Sequence, residues 1–355
     1  MAGAEVTTPP DASQRAATLA SHVHRRRIVG LAVLIVVLVL VVLAGIAFGA
    51  RTIPPANAWH AVFGSGGGAD AEIVRSLRVP RTVLGLVVGV ALGLAGALIQ
   101  GYTRNPLADP GLLGLNSGAA FLAVLAIHVF GLTTPGGYVW FALAGSALAG
   151  VVVFAVAALG TRSGTASPLN LALAGAAVTF LLQALTNALV LTDTATLDTY
   201  RFWVVGSAAG RGFDVLWDVL PFLTVGVVIA LFAGRGLNAL SLGEDVARAL
   251  GVKVGLAKGA GLLAVVLLSG AATAACGPIA FVGLVVPHIA RAITGPDQRW
   301  LLPYSGLLGG VLLVAADTVG RLIARPGEVQ VGITLAICGA PVFIALVRRR
   351  KLVTL

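Results

Sequence analysis

Charged side chains are scarce in this chain. Only 11% of the 355 residues are Asp, Glu, Lys or Arg, whereas an average soluble domain carries about 25%. Hydrophobic residues make up 58%, and the mean hydropathy is +0.98. This composition excludes an ordinary soluble enzyme or binding domain. It predicts an integral membrane protein whose continuous apolar runs cross the bilayer as helices.

Sequence signatures of catalysis and of metal binding are also absent. There is no phosphate-binding loop of the form Gly-x-x-x-x-Gly-Lys-Ser/Thr, so we expect that the chain does not hydrolyse ATP itself. There is no His-Glu-x-x-His or Gly-x-Ser-x-Gly pattern either. The two cysteines, Cys276 and Cys338, lie in apolar segments without a ligand or disulfide spacing. We therefore expect a protein that is not an enzyme and binds no metal or cofactor.

Apolar windows long enough to cross a bilayer recur along almost the whole chain. A spanning helix needs about 20 consecutive apolar residues, and about ten such windows are present. We expect an all-α polytopic membrane protein with spans at residues 28–50, 79–101, 111–130, 138–160, 169–191, 214–234, 257–276, 278–293, 303–320 and 331–347. Gly85, Gly89 and Gly93 recur every fourth residue in the second window. This spacing predicts a face on which another helix backbone approaches closely.

The basic residues are concentrated in tails and short loops. The chain has 24 basic and 14 acidic side chains and a formal charge of +10, and most of the basic ones fall on one side if the amino terminus is cytoplasmic. The positive-inside rule explains this bias, so we do not expect nucleic acid as a partner. We expect a disordered cytoplasmic tail at 1–27, a transmembrane domain at 28–347 surrounded by lipid, and a basic cytoplasmic tail at 348–355.

Two prolines interrupt the chain just after the second span. Residues 105–110 read Asn-Pro-Leu-Ala-Asp-Pro, and proline cannot continue a helix because it lacks the amide donor. Irregular backbone within a membrane protein is tolerated only where protein or a water-filled cavity satisfies its polar groups. The segment is therefore either a simple turn between helices or a structured break beside a translocation pathway, and its residue types favour neither.

A short helix is predicted between the sixth and seventh spans, in residues 239–254. Ser241 is a plausible N-cap with Glu244 three residues later, as in a capping box, and Gly251 is a plausible stop. The apolar residues Val246, Ala247 and Leu250 are expected to share a face. Such a cytoplasmic amphipathic helix could lie on the lipid surface or insert into a groove of a soluble partner, and its short length favours the partner.

Charged residues also occur near the span ends that we expect to lie outside. Asp317 and Arg321 are four residues apart, a spacing that allows pairing on one helical face. One acid paired with one base is a poor proton relay, so we expect a structural or docking ion pair; the alternative is a proton-coupled secondary transporter working through Asp317. Arg78 and Arg81 either anchor at lipid headgroups or, with Arg321, form a basic rim for an acidic external partner.

One histidine lies in an apolar segment that ends with a basic residue. His288 follows Pro287 and precedes Arg291. It could mark a metal or pH-sensitive site, but no second histidine or carboxylate lies within a ligand spacing. We expect His288 to be a structural hydrogen-bonding residue near a helix end.

Several short motifs occur together in a fixed order between about residues 30 and 350. They are Arg78-x-Pro80-Arg81, Gln100 followed by residues 105–110, Leu242-Gly243 with Ala247 and Leu250-Gly251, Gly277-Pro278-Ile279, Pro287-His288-x-x-Arg291 and Gly339-Ala340-Pro341. Together they resemble the FecCD family, the permease subunits of bacterial ABC importers for iron–siderophore complexes, haem and cobalamin. One departure is visible, because Gln330 stands where the family often has the proline of Glu-x-Pro-x-Gly.

The resemblance implies the architecture of a type II ABC importer permease in the bacterial cytoplasmic membrane. It implies about ten helices per subunit, with both termini cytoplasmic and a second permease subunit, either identical or related. It also implies two copies of an ABC ATPase subunit and an extracytoplasmic substrate-binding protein. The implied cargo is a metal chelate, which we expect to be an iron–siderophore complex; cobalamin or haem is the alternative within the same family.

The resemblance also implies roles for particular residues. For coupling to the ATPase these are Leu242, Gly243, Glu244, Ala247, Leu250 and Gly251. For docking of the binding protein they are Arg78, Arg81 and Arg321. For the pathway or its gate they are Gln100, Asn105, Pro106, Asn116 and Ser167.

Overall fold

In the computed structural model, residues 12–64, 67–160 and 167–348 are described, and every regular element in these ranges is helical. The α-helices of these ranges are α1 Ala12–Ala47, α2 Pro55–Phe63, α3 Ala69–Glu72, α4 Val79–Thr103, α5 Leu115–Phe130, α6 Pro135–Leu159, α7 Pro168–Thr192, α8 Thr194–Val204, α9 Phe213–Ser241, α10 Glu244–Ala249, α11 Val254–Cys276, α12 Val282–Thr294, α13 Gln298–Ile323 and α14 Val331–Arg348. A π-helical turn, Ile73–Arg78, joins α3 to α4, and a 3-10 turn, Pro110–Leu113, precedes α5. The predicted all-α fold class is confirmed.

Ten of these helices correspond to the ten predicted spans. Within the described ranges, seven helices are long and apolar enough to cross a membrane: α1, α4, α6, α7, α9, α11 and α13. Three shorter apolar helices, α5, α12 and α14, occupy the remaining predicted windows. Helices α2, α3 and α8 were not predicted, because a short helix carries no long apolar run. The first two lie between the first and second predicted spans.

Helix α1 is longer than the span predicted for it. It begins at Ala12, so the expectation of disorder is wrong for residues 12–27, while residues 1–11 and 349–355 lie outside the described ranges. Arg27 holds the helix against the end of α12 and against α13, because its Nε donates to the carbonyl oxygen of Thr294 at 2.9 Å and its carbonyl oxygen accepts from the Tyr304 hydroxyl.

Helix α4 is the centre of the bundle. It is buried along most of its length and packs against α9, α11, α12 and α13. Glycine makes the contact with α13 possible, since a Cβ added to Gly89 would lie 2.4 Å from the carbonyl oxygen of Gly309. A Cβ added to Gly93 would lie 2.1 Å from the carbonyl oxygen of Ser305. The close helix approach predicted from the glycine spacing is therefore confirmed.

The bundle has two ends that differ in the chemistry of their charged residues. At one end the start of α4 meets the end of α1, where Arg78 donates to the carbonyl oxygen of Ile46 at 3.1 Å; we call this the Arg81 end. At the other, Arg104, just after α4, donates to the carbonyl oxygen of Leu240 near the end of α9 at 2.5 Å. Helix α10 follows directly, so we call this the α10 end.

Candidate functional site

Helix α10 is a short element bounded by two glycines. Gly243 precedes it with φ 117°, and Gly251 follows it with φ 83°, conformations that favour glycine because it has no Cβ. Ala247 is buried in a small apolar cluster with Leu240 and Val254, whereas Leu242 and Leu250 are 65% and 63% exposed. The helix is therefore attached to the bundle through Ala247, and its two leucine neighbours remain available to a partner.

Two details of the prediction for this helix are wrong. Ser241 is not its N-cap: it is the last residue of α9, and its hydroxyl donates to the carbonyl oxygen of Asn238 at 2.7 Å. The N-cap is Gly243, which offers no side chain for a capping box. Val246 and Leu250 are exposed while Ala247 is buried, so these residues do not share one face as expected.

Glu244 connects α10 to the bundle electrostatically. Its Oε1 accepts from the Lys258 ammonium on α11 at 2.5 Å, and its Oε2 lies 3.1 Å from Nη2 of Arg248. The hydrogen bond from Lys258 is the main reason that the pKa of Glu244 lies below its ordinary value, and the charges of Lys258, Arg248 and Arg104 lower it further. Glu244 therefore holds α10 against α11 and is not free for a partner.

Arg104 and Lys258 are functional candidates that sequence reasoning missed. Arg104 has φ 49° at the end of α4 and reaches the carbonyl oxygen of Leu240, two residues before Leu242. Lys258 is 14 residues after Glu244. The positions of both residues relative to α10 depend on how three separate helices pack, and no local pattern in the sequence carries that information.

At the Arg81 end, Asp317 lies between two buried guanidinium groups. Arg81 donates to Oδ1 of Asp317 from Nε at 3.0 Å and from Nη2 at 2.7 Å. Nη2 of Arg321 lies 3.1 Å from Oδ2 of the same carboxylate. Nη1 of Arg81 also lies 2.7 Å from Oε2 of Glu328. The predicted ion pair between Asp317 and Arg321 is confirmed, and Arg81 belongs to the same network.

The prediction of a basic rim at this end is wrong for the structure of the chain. Arg78, Arg81 and Arg321 are only 5%, 9% and 3% exposed. Arg78 donates to the carbonyl oxygens of Ile46 and Ala47, while Arg321 donates to the carbonyl oxygen of Gly45 at 3.0 Å. These carbonyl groups lie in the last turn of α1, where no further helical amide can reach them. Arg78 and Arg321 therefore close that helix end.

The proline-containing segment after α4 is irregular, as predicted. Asn105 is exposed, and its Oδ1 accepts from the amide of Leu107 at 3.0 Å, while Pro106 is half-buried. Asp109 caps the following 3-10 turn by accepting from the amide of Gly111 at 2.8 Å. Side chains of the segment thus satisfy its own backbone, which fits a structured turn at the α10 end.

Gln100 and Asn116, both predicted to line the pathway or its gate, make contacts between helices. Gln100 is fully buried and donates to the carbonyl oxygens of Gly283 and Leu284 on α12 at 3.3 and 3.2 Å. Asn116 is half-buried, and its Oδ1 accepts from the hydroxyl of Thr273 on α11 at 2.9 Å. In this conformation Gln100 contributes to packing and lines no open passage.

Ser167 and His288 differ in how far their polar groups are satisfied. Ser167 is the N-cap of α7, and its Oγ accepts from the amide of Asn170 at 3.2 Å; residues 161–166 before it lie outside the described ranges. His288 is buried in α12, and its Nδ1 has no hydrogen-bond partner among the described residues. The expected hydrogen-bonding role of His288 is therefore wrong for this nitrogen.

Comparison with known proteins identifies transport proteins of one kind. Residues 36–349 match the FecCD transport family. The chain is 44% identical over 317 residues to the ferric enterobactin transport system permease protein FepD of Escherichia coli strain K12, covering 89% of this chain and 94% of that protein. It is 41% identical over 279 residues to the cobalamin import system permease protein BtuC of Halobacterium salinarum, covering 79% and 74%.

A solved structure has the same fold. It is described as the inward-facing conformation of a metal-chelate type ABC transporter, and it superposes on this chain with a TM-score of 0.77 at 30% sequence identity. The match covers 89% of this chain and 97% of the other. The similarity therefore extends over the helical bundle and not over a single motif.

Proposed function

The chain belongs to the FecCD transport family, and on that premise we propose that it carries an iron–siderophore complex inward across the bacterial cytoplasmic membrane. It is a transport subunit of an ABC importer, and ATP hydrolysis resides in a separate subunit. The observation that supports a coupling role most directly is α10, which exposes Leu242 and Leu250 while Glu244 ties it to α11. We propose that this surface enters a groove of the ATPase.

The proposed assembly contains more than one chain. We propose two permease subunits, identical or related, with the pathway between them, two ATPase subunits at the α10 end and a binding protein at the Arg81 end. Both termini and α10 are then cytoplasmic, as the positive-inside rule favours. The chain itself binds no nucleotide or other cofactor in this proposal. The binding protein would dock on exposed groups, since Arg81 and Arg321 could serve only after leaving Asp317.

The proposed mechanism is alternating access driven from α10. When the ATPase subunits close on ATP, the groove carries α10 with it. The Glu244–Lys258 pair passes this displacement to α11, and the hydrogen bond between Arg104 and the carbonyl oxygen of Leu240 passes it to the end of α4. Because α4 packs against α11, α12 and α13, its movement can reshape the bundle. The chelate needs a passage that does not bind it tightly.

Cobalamin and haem are the alternative cargoes within the family, and a proton gradient is the alternative driving force. Cobalamin is one alternative cargo because a relative named as a cobalamin permease is 41% identical. A proton-coupled mechanism through Asp317 is less favourable, because the guanidinium groups of Arg81 and Arg321 engage both oxygens of this buried carboxylate.

Uptake measurements test the proposal and its alternatives together. Radiolabelled ferric siderophores, haem and cobalamin would be supplied to cells with the gene, without it, and with the ATPase inactivated. We expect uptake of a ferric siderophore to be lost in both mutants and to survive collapse of the proton gradient while ATP is maintained. Loss of cobalamin or haem uptake alone would change the cargo, and uptake that survives ATPase inactivation would contradict the proposal.

A further inference from the structure

A cavity opens at the Arg81 end between α6, α8 and the segment that precedes α14. It has a volume of about 430 Å³, and its walls include Tyr138, Phe202, Trp203, Arg211 and Gln330. Its size lies within the roughly 300–1,000 Å³ range of small-molecule sites. Three aromatic rings beside one guanidinium group are an unusual lining for a membrane bundle that is otherwise poor in charge.

Three polar groups around this cavity have no protein partner. Nε1 of Trp203, Nε of Arg211 and the side-chain oxygen of Gln330 are buried without a hydrogen bond to any described residue. Each such group has lost its hydrogen bonds to water without gaining one in the protein, so native structures rarely keep several together. Two are donors and one is an acceptor. Together they can recognise a ligand rich in oxygen atoms that also carries a hydroxyl or amide donor.

The single charge in the cavity lining is held in place. Arg211 donates from Nη1 to the Tyr138 hydroxyl at 2.7 Å, and its guanidinium carbon lies 5.7 Å from the centre of the Tyr138 ring. Among the described lining residues no carboxylate accompanies it. Asp214 lies nearby on the first turn of α9, beside Gly212, but it is not part of the lining. The cavity is therefore suited to an anionic group.

The wall that carries Arg211 is anchored to the bundle by backbone contacts. The amide of Ser207 donates to the carbonyl oxygen of Cys276 at 2.7 Å, and the amide of Gly332 donates to the carbonyl oxygen of Gly206 at 3.1 Å. A Cβ at Gly332 would lie 1.9 Å from the carbonyl oxygen of Val205. The segment is thus wedged between the end of α11 and the start of α14, which gives the cavity a defined shape.

We propose that this cavity binds one acidic arm of an oxygen-ligated iron chelate, either a carboxylate or a catecholate. Its negatively charged oxygens accept from Arg211 and Trp203, and its flat portion lies against the rings of Tyr138 and Phe202. Gln330, at the position where the sequence departs from the family pattern, accepts from a donor on the ligand. The inference rests on the proposed function and names the charge class of the cargo.

Equilibrium binding to the purified, nucleotide-free transporter, without the binding protein, tests the site. The probes are radiolabelled ferric citrate, a ferric tricatecholate and a neutral ferric trihydroxamate. We expect Arg211→Gln to weaken binding of the two anionic chelates about tenfold, as expected for loss of one charged hydrogen bond, and to change the trihydroxamate less. Arg211→Lys should recover part of the affinity because it keeps the charge. Trp203→Phe, which keeps a ring and removes the donor, should weaken binding by a smaller factor.

Arg51→Gln is the matched control. Arg51 follows α1 at the same end, is paired with Asp70 at 2.9 Å and is not part of the lining, so its loss should leave chelate affinity unchanged. The proposal is overturned if Arg211→Gln binds all probes as the wild type does, if Arg211→Gln and Arg51→Gln lose affinity equally, or if the wild type binds neither anionic chelate. The ATP dependence of wild-type uptake is measured separately, so the proposed function can be confirmed even if this cavity binds no chelate.

Discussion

The two ends of the bundle use charged residues in opposite ways. At the Arg81 end, Asp317 and the guanidinium groups of Arg81 and Arg321 are buried and paired within the chain. At the α10 end, Glu244 and Arg248 are partly exposed beside the exposed Leu242 and Leu250. A network that is buried and internally satisfied fixes a structure, whereas a partly exposed one leaves a surface that can follow a partner. The difference supports the proposal that movement enters at α10.

The largest expected effect on stability comes from removing the buried carboxylate. Asp317→Asn leaves Arg321 without an acidic partner and leaves Arg81 with Glu328 alone. Breaking a buried ion pair costs about 3–5 kcal/mol because an uncompensated charge remains inside. We expect a markedly lower melting temperature of the purified protein in detergent.

Asp245→Asn is the corresponding change at the α10 end. Asp245 is paired with Arg248 at 2.8 Å, but its side chain is 99% exposed. We therefore expect the free energy of unfolding to fall by no more than about 1 kcal/mol. Equal melting temperatures for the Asp317 and Asp245 variants would contradict the contrast between the two ends.

A bulky residue before α10 should damage coupling more than stability. Gly243 has φ 117° and ψ 150°, a region that is essentially restricted to glycine, so any side chain adds about 1–3 kcal/mol of strain. A Cβ there meets no described atom within 4 Å, so a large side chain would project toward a partner. We expect Gly243→Trp to abolish substrate-stimulated ATP hydrolysis and Gly243→Ala to reduce it.

The matched control lies at the opposite end of the bundle. Gly131 also has a positive φ, 67°, and a Cβ added to it likewise meets no described atom within 4 Å. Gly131→Trp should therefore keep the stimulated hydrolysis. Normal stimulation in Gly243→Trp, or equal losses in both tryptophan variants, would refute the role assigned to α10.

The sequence predicted the spans better than the contacts between them. Hydropathy is a local property, so ten apolar windows could be located, and the spacing of Gly89 and Gly93 correctly indicated close packing. The partner of Arg81 is 236 residues away at Asp317, and burial of both depends on how α4 meets α13. For the same reason the contacts of Gln100 and Lys258 could not be predicted. The short helices α2, α3 and α8 were missed because they lack a long apolar run.

The smallest expected effect is a response to pH at the α10 end. The hydrogen bond from Lys258 lowers the pKa of Glu244, so the pair stabilises the folded protein above the ordinary carboxyl pKa of about 4.3 and is lost as pH falls through the lower folded value. The ratio of stimulated ATP hydrolysis between the wild type and Glu244→Gln should stay constant from about pH 8 to pH 5. A ratio that approaches one within this interval would show that Glu244 is already being protonated.

The most direct test of the account is a charge exchange between α10 and α11. Glu244→Lys, Lys258→Glu and the double variant would be reconstituted with the ATPase, and chelate uptake per ATP hydrolysed would be measured. We expect chelate uptake per ATP hydrolysed to fall about tenfold in each single variant, as for the loss of one charged hydrogen bond. The double variant should recover much of this ratio. Recovery should be incomplete because Arg248 also faces position 244. Single variants that keep the wild-type ratio, or a double variant no better than either, would contradict the claim that this ion pair carries the movement of α10 into the bundle.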